Sequence, residues 1–319
     1  MGEGLVVGID LGGTKIRTVL ADAAGRVVAE VKVPTGAPEG QQAVLRRLIG
    51  TVEEVLRLGG ASLREVRAVG LGAPGPLDAA RGFLYHAPNL GWREVPLKEI
   101  LEGSLGVPVL VDNDANLAAL GEHRFGAGKG VGDMVHVTIG TGIGGGLILG
   151  GRLYRGWRDG AGEIGHVTVL PGGPPCRCGN RGCLETVASG TALGGQAREM
   201  VARGEGRGIL AAAGGRAEAV TAVAVAAAAA GGDPEALALL RRAAGFLGLG
   251  VANVVKVLNP ALVVLGGGVV EGAPFLVEMV DEAVRAHALS AAHGAVRLER
   301  AHLGGKAGVM GAVALASEA

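Results

Sequence analysis

Aromatic residues are scarce, at 3% of 319 residues, which argues against a surface that stacks nucleobases along a strand. Neither charge is in excess, with 30 Lys+Arg facing 30 Asp+Glu, so no global field draws the chain to nucleic acid or anionic lipid. Cysteine is limited to Cys176, Cys178 and Cys183. Three thiols cannot all pair, and their crowding points away from a secreted disulfide scaffold and towards a metal in a reducing compartment. The start, MGEGLVVGIDLGG, lacks the basic segment, long apolar run and cleavage site of a signal peptide. The run TAVAVAAAAAGG at 221–232 is too short and too alanine-rich to span a bilayer. A cytoplasmic protein with no nucleic-acid or membrane partner is expected.

Glycine is abundant instead: 60 residues, where average usage near 7% gives about 22. No collagen-like period accompanies it, so the excess belongs to tight turns, close backbone approaches and ligand loops. Hydrophobic residues at 49% and charged ones at 19% exclude a disordered chain. The length suits two domains better than one core.

The first residues read as strands LVVGID, IRTVLAD and RVVAEVKV, joined by a glycine turn and by a turn at Ala23–Gly25. A helix follows in QQAVLRRLIGTVEEVLRL, with Val44, Leu48, Val52 and Val55 on one face. Then come a strand VRAVGLG, a loop rich in Gly, Pro and Asn, a short helix near Leu97–Leu105, a strand VPVLVD, and a helix from about Asp114. A second round opens with strands MVHVTIG and GLILGGRLY and a third strand GHVTVL. Helices LETVASGTALGGQAREMVA and Pro234–Leu258 follow, with a small-residue helix in the 221–232 run between them. The strand ALVVLGGG, a helix at Pro274–Ala288, the strand AVRLERA and a C-terminal helix complete the chain. Both halves open with a strand, a glycine turn and a returning strand, and both end in alternating strands and helices. That is an internal duplication of α/β layers. The expected division is 1–120 and 121–319, with the C-terminal helix packing back on the first domain and a ligand in the cleft between.

Two glycine turns carry the anion chemistry. In Gly8-Ile9-Asp10-Leu11-Gly12-Gly13-Thr14-Lys15, the glycines let backbone N–H groups approach an anion, Thr14 adds a hydroxyl and Lys15 a charge. Asp10 is a natural outer-sphere partner for magnesium on phosphates; alternatively it merely caps a hairpin. The second turn, Gly140-Thr141-Gly142-Ile143-Gly144-Gly145-Gly146, formally matches the dinucleotide fingerprint, but LILGGRLY after it reads as a strand where a helix is required. No Walker loop occurs. Two glycine hairpins, one per half, suit a triphosphate. A third run at Gly266, Gly267 and Gly268 either lets a purine lie against backbone or is a plain strand-to-helix turn.

The most specific feature is GEIGHVTVLPGGPPCRCGNRGCLE. His166, Cys176, Cys178 and Cys183 satisfy tetrahedral zinc, and four protein ligands leave no open position, so the site is structural. Glu163 and Glu185 bracket this loop and offer paired acceptors to sugar hydroxyls, although either alone reads as a solvated charge. At the strand–helix junction stand Asp112, Asn113 and Asp114. One of them should be the N-cap. Asp114 fits a group that orients an alcohol and takes its proton in phosphoryl transfer.

With DLGGTK, GAPGPLD, PNLGW, DNDAN, GTGIGGG, GEIGH and CRCGNRGCLE in order, the chain from about Leu5 onward resembles the ROK family of sugar kinases and sugar-responsive repressors. Within it, the bacterial ATP-dependent glucokinases are most alike. The resemblance implies an actin-like (ribonuclease-H-like) two-domain ATPase fold with an interdomain cleft, and a homodimer or homotetramer. It also implies ATP, Mg2+ and structural Zn2+, with phosphorylation of glucose at the 6-hydroxyl as an entry to glycolysis. By the same resemblance Asp114 is the general base, and Asn113, Glu163, His166 and Glu185, with Asn89, hold the sugar. Gly8–Lys15 and Gly140–Leu147 are the phosphate loops, Gly266 and Gly267 lie by the nucleotide, and Asp10 is associated with magnesium through water. His166, Cys176, Cys178 and Cys183 bind zinc, His166 also reaching a sugar hydroxyl. Asp112 stands where many relatives carry glutamate, and either acid is able to cap the helix. Kinases of mannose, fructose, N-acetylglucosamine or N-acetylmannosamine share this constellation. A repressor of the family would carry a winged helix-turn-helix ahead of the first strand, for which four residues leave no room. A zinc-stabilised sugar-binding protein without catalysis would need a broken base or phosphate loop.

Overall fold

Strict alternation along the first strand decides how the first sheet is covered. In β1 (Leu5–Leu11), Val7, Ile9 and Leu11 face one side and are fully buried, while Gly8 and Asp10 face the other. The structure, a computed structural model, describes residues 4–287 and 296–319. With β2 (Lys15–Ala21), β3 (Val27–Pro34), β4 (Val66–Ala73) and β8 (Val109–Asn113), β1 forms a five-stranded sheet in the order β3-β2-β1-β4-β8. β2 is antiparallel to its neighbours, and β4 and β8 are parallel.

One face of this sheet is covered by α1 (Gln41–Gly59), whose Val44, Leu48, Val52 and Val55 are fully buried in one cluster with Ile9, Leu11 and Leu71. The other face takes α3 (Asp114–Phe125) and α11 (Ala307–Ser317). Here missing side chains set the distance. A Cβ on Gly8 would meet Val309 O at 2.7 Å, and Cβ atoms on Gly70 and Gly311 would collide with Ala312 O and Leu117 O. The helix therefore lies flush on β1, β4 and α3. The stretch between β4 and α2 (Leu97–Leu105) is not simply a loop. It forms a small antiparallel sheet from β5 (Leu77–Asp78), β6 (Phe83–Ala87) and β7 (Trp92–Pro96).

A second five-stranded sheet repeats the order of the first: β11 (Arg152–Tyr154), β10 (Ile143–Leu149), β9 (Met134–Ile139), β12 (Leu262–Gly266), β13 (Arg297–Arg300). β10 and β11 are antiparallel, and β9, β12 and β13 are parallel. The described chain forms two compact units, one of residues up to Gly130 with Gly146–Gly162 and Lys306–Ala319, the other of Val131–Gly145 with Glu163–Gly305. The C-terminal helix thus belongs to the first unit.

The central helix of the second unit is α8 (Pro234–Leu258). Asp233 Oδ1 accepts the Ala236 N–H at 2.8 Å, Pro234 follows the cap, and Asn259 ends the helix at φ 46°. By length and composition it is apolar enough to cross a membrane, but Leu240, Leu247 and Val255 are fully buried within the unit. Around it lie α4 (Leu184–Ala188), α5 (Gly190–Ala202), α7 (Ala222–Ala230) and α10 (Leu276–His287). The single helix expected over 184–202 is two helices, because Ser189 leaves the helical region and caps the second through Ala192 N–H at 3.2 Å. The segment GHVTVL is not a third strand. Ile164–His166 is a short 3-10 turn, and Thr168 makes one isolated bridge to Cys183. The backbone here wraps the cysteine loop, both Val169 and Leu170 donating to Gly182 O. Residues 288 and 295, which bounded the expected last helix and strand, lie outside the described residues.

Candidate functional site

In the first unit, register aligns the two chemical segments. Asp10 on β1 pairs with Gly72 on β4, and Gly72 with Asp112 on β8. The first glycine turn and the Asp112–Asp114 junction therefore leave the same carboxyl edge of one sheet, two strands or roughly 10 Å apart. Between them Gly72 offers no side chain, and a Cβ there would lie 3.8 Å from Asp114 Cα.

Of the segment Gly8–Lys15, Ile9 and Leu11 belong to the core, and Gly8 seats α11. Gly12, Gly13, Thr14 and Lys15 make the accessible turn, closed by Gly12 N–H to Lys15 O at 3.0 Å. Gly13 lies against Asn89, whose Cβ would be 3.1 Å from a Gly13 Cβ. Asp10 turns towards the first turn of α11, where a Gly308 Cβ would come within 3.2 Å of its carboxylate. Burial holds the Asp10 carboxyl above the usual carboxylate range, partly offset by Arg17 and Lys15.

At the junction Asn113 is the N-cap. Its Oδ1 accepts from Ala115 N–H at 2.9 Å and Asn116 N–H at 3.3 Å. Asp112 does not cap. It is 1% exposed and accepts from Asn113 N–H at 2.7 Å, Asn116 Nδ2 at 2.9 Å and Arg155 Nε at 2.7 Å. Asp114, first residue of α3, accepts from Ala115 N–H through Oδ1 at 2.9 Å.

In the second unit the other glycine turn is docked on the start of α5. Gly190 N–H donates to Gly140 O at 2.8 Å, and Thr191 reaches Thr141 O through N–H at 3.2 Å and Oγ1 at 2.7 Å. Glu185 Oε2 accepts the Ile143 N–H at 3.0 Å. A cavity of about 390 Å3 opens here, lined by Gly140, Thr141, Thr191, Arg198, Val223 and Gly268 among others. Gly268 comes from the third glycine run; Gly266 and Gly267 are instead pressed against His136 and Ile139 O. Thr191, Arg198 and Thr221 line the cavity without any motif that marks them in the sequence.

The cysteine loop brings four donors together. His166 Nδ1 lies 3.5 Å from Cys176 Sγ, Cys178 Sγ lies 3.7 Å from Cys183 Sγ, and all four ligand atoms fall within 4.8 Å of one another. Tetrahedral zinc with ordinary bond lengths requires S···N and S···S separations of about 3.5 and 3.8 Å. The donor set fits. Burial and the neighbouring Cys178 and Cys176 push the Cys183 thiol up to about 12, and a bound cation would favour its thiolate. His166 Nε2 points away from the cluster and lies 3.8 Å from Glu163 Oε2.

The chain is similar to known proteins along nearly its whole length. The profile of the ROK family matches residues 6–319. The chain belongs to the ROK family. The glucokinase of Halalkalibacterium halodurans is 40% identical over 98% of this chain and 94% of its own length. Among solved structures, a ROK family glucokinase from Streptomyces griseus in complex with glucose and AMPPNP is 36% identical, with a TM-score of 0.87 over 99% of this chain and 100% of that one. The ROK hexokinase from Thermus thermophilus is 41% identical, with a TM-score of 0.81 over 97% of each chain. The two sheets of identical strand order are thus those of the actin-like ATPase fold.

Proposed function

We propose that this ROK family member is an ATP-dependent kinase that phosphorylates the 6-hydroxyl of glucose, with Asp114 as general base. The observation that carries the reading is the row Asp10, Gly72, Asp112, from which a phosphate-binding turn and a carboxylate leave one sheet edge side by side. Phosphoryl transfer to an alcohol needs that pairing: donors on the phosphates and a base on the attacking hydroxyl. Asp114 orients O6 and takes its proton as the oxygen attacks the γ-phosphorus. The turns Gly12–Lys15 and Gly140–Gly146 hold the phosphates, through backbone N–H groups other than those of Gly12, Gly140 and Ile143, which close the turns themselves. Magnesium, when bound, neutralises phosphate charge, and Asp10 would hold it through water. The purine and ribose take the cavity beside Arg198 and Val223.

Sugar hydroxyls meet Asn89, Asn113, Glu163, His166 and Glu185. With a zinc ion held at Nδ1, His166 would keep its ring proton on Nε2 and donate it to a sugar hydroxyl. The zinc itself, held by His166, Cys176, Cys178 and Cys183, supplies rigidity to the loop that carries these groups. Discrimination among hexoses rests on one or two side chains worth about 1–3 kcal/mol. A cytoplasmic homodimer or homotetramer is part of the same reading.

The test is ADP release across glucose, mannose, fructose, N-acetylglucosamine and N-acetylmannosamine, with Asp114→Asn alongside. Glucose should give the highest kcat/KM, and the variant should lose about 10³-fold in kcat while still binding glucose by calorimetry. Ordinary turnover by Asp114→Asn would remove the base role.

A further inference from the structure

We infer that Arg155 is a positioning residue for the base: through Asp112 it locks the strand–helix junction that carries Asp114. The inference rests on the proposed role of Asp114. The two oxygens of Asp112 do different work. Oδ1 receives Asn113 N–H and Asn116 Nδ2, donors from the junction and from the first turn of α3. These tie strand end to helix start but would allow the whole corner to pivot. Oδ2 receives Arg155 Nε at 2.7 Å from 43 residues away, and this is the long-range tie given to that carboxylate.

Arg155 is suited to be an anchor. It follows β11 directly, and its carbonyl accepts Ala161 N–H at 3.0 Å, closing the loop behind it. The same loop is pinned again where Asp159 Oδ2 accepts Ala79 N–H at 3.0 Å. The pair is shielded, Asp112 at 1% and Arg155 at 33% side-chain exposure, so it is not a solvated surface ion pair of negligible strength. Its geometry belongs to guanidinium: a fixed Nε–H with a known direction, which an ammonium on a flexible stem does not supply. Asp112 cannot swing without breaking all three bonds, and Asn113 and Asp114 follow it in the chain. A base displaced by about 1 Å loses roughly 10²-fold in rate, so a fixed corner matters to turnover more than to ground-state binding.

The experiment measures kcat, KM for ATP, KM for glucose and Tm in Arg155→Ala, Arg155→Lys, Asp112→Asn/Arg155→Ala and Asp114→Asn. Arg155→Ala should lower kcat 10- to 100-fold with KM for ATP changed less than twofold, and Arg155→Lys should recover less than a third of the loss. The double variant removes the buried carboxylate that Arg155→Ala leaves uncompensated. It should regain Tm without regaining kcat. Recovery of kcat in step with Tm, or an unchanged kcat in Arg155→Ala, overturns the inference while leaving the base role intact. Full turnover by Asp114→Asn removes the base and the positioning role together. Should Arg155→Ala not fold, Arg155→Lys is decisive: kcat within twofold of the parent refutes the geometric requirement.

Discussion

Glu185 grips the second glycine turn, its Oε2 accepting the Ile143 N–H at 3.0 Å from the position that a Cβ on Gly142 would occupy. A residue proposed to meet sugar hydroxyls therefore also shapes the turn proposed to hold phosphate. Glu185→Gln keeps an acceptor oxygen for Ile143 and should raise KM for glucose about tenfold, leaving KM for ATP within twofold. Glu185→Ala removes the acceptor of a partly buried N–H, at a cost of about 1 kcal/mol, and should raise both constants. Steady-state kinetics on the two variants checks the split.

The metal prediction follows from ligand spacing. Elemental analysis should find about one zinc per chain, retained through turnover. Cys183 is fully buried, and Cys183→Ser should lose the metal and lower Tm by about 5–10 °C, on the scale of 2–4 °C per kcal/mol for units of this size. A fully active preparation without zinc would defeat the assignment.

Asp10 links stability to pH. Its folded pKa is raised by burial above the value of 3.8 expected in the unfolded chain. The folded state then binds the proton more readily, so the ionised group costs stability at neutral pH. That cost is relieved as pH falls through the raised folded pKa. Asp10→Asn should gain about 2–4 °C in Tm at pH 7.5 and lose most turnover. Its advantage over the parent should shrink towards pH 4. Thermal melts of magnesium-free protein at several pH values provide the check, and a gap that widens on acidification would contradict it.

Two consecutive non-glycine residues, Arg158 at φ 58° and Asp159 at φ 57°, adopt the left-handed region. Each costs of order 1 kcal/mol. Asp159 recovers part of this through its bond from Ala79 N–H. Arg158 lines an open hollow with Asp78 and Tyr85, and among the described residues no ion pair holds it. Arg158→Gly should therefore stabilise the protein by about 0.5–1 kcal/mol, seen as a higher denaturation midpoint, whereas Asp159→Ala should destabilise it.

Elements with both a period and punctuation were legible. α8 has Asp233 and Pro234 at its start and Asn259 at its end, and its residues match the expected ones. α1 shows its four expected apolar positions buried. Elements that depend on distant partners were not legible. GHVTVL alternates like a strand, but its backbone partner is the cysteine loop. β5, β6 and β7 were missed for a different reason: their partners are close in sequence, but each strand is short and lies among turn residues. At the site, the cluster of His166, Cys176, Cys178 and Cys183 was readable because three thiols and an imidazole in so short a stretch have few other uses. Arg155 and the cavity-lining Arg198 were not, since an arginine's role lies in what it reaches, and neither sits in a motif.

The flush seat of α11 on β1 and β4 has a consequence for biosynthesis. β1 leaves the ribosome about 300 residues before α11, which covers it, with glycines at Gly8, Gly70 and Gly311 closing the joint. Until α11 is made, the part of that face over β1 and β4 that it covers stays bare and open to chaperones or to misassociation. Bulky fusions after Ser317 should consequently slow maturation more than comparable fusions before Leu5.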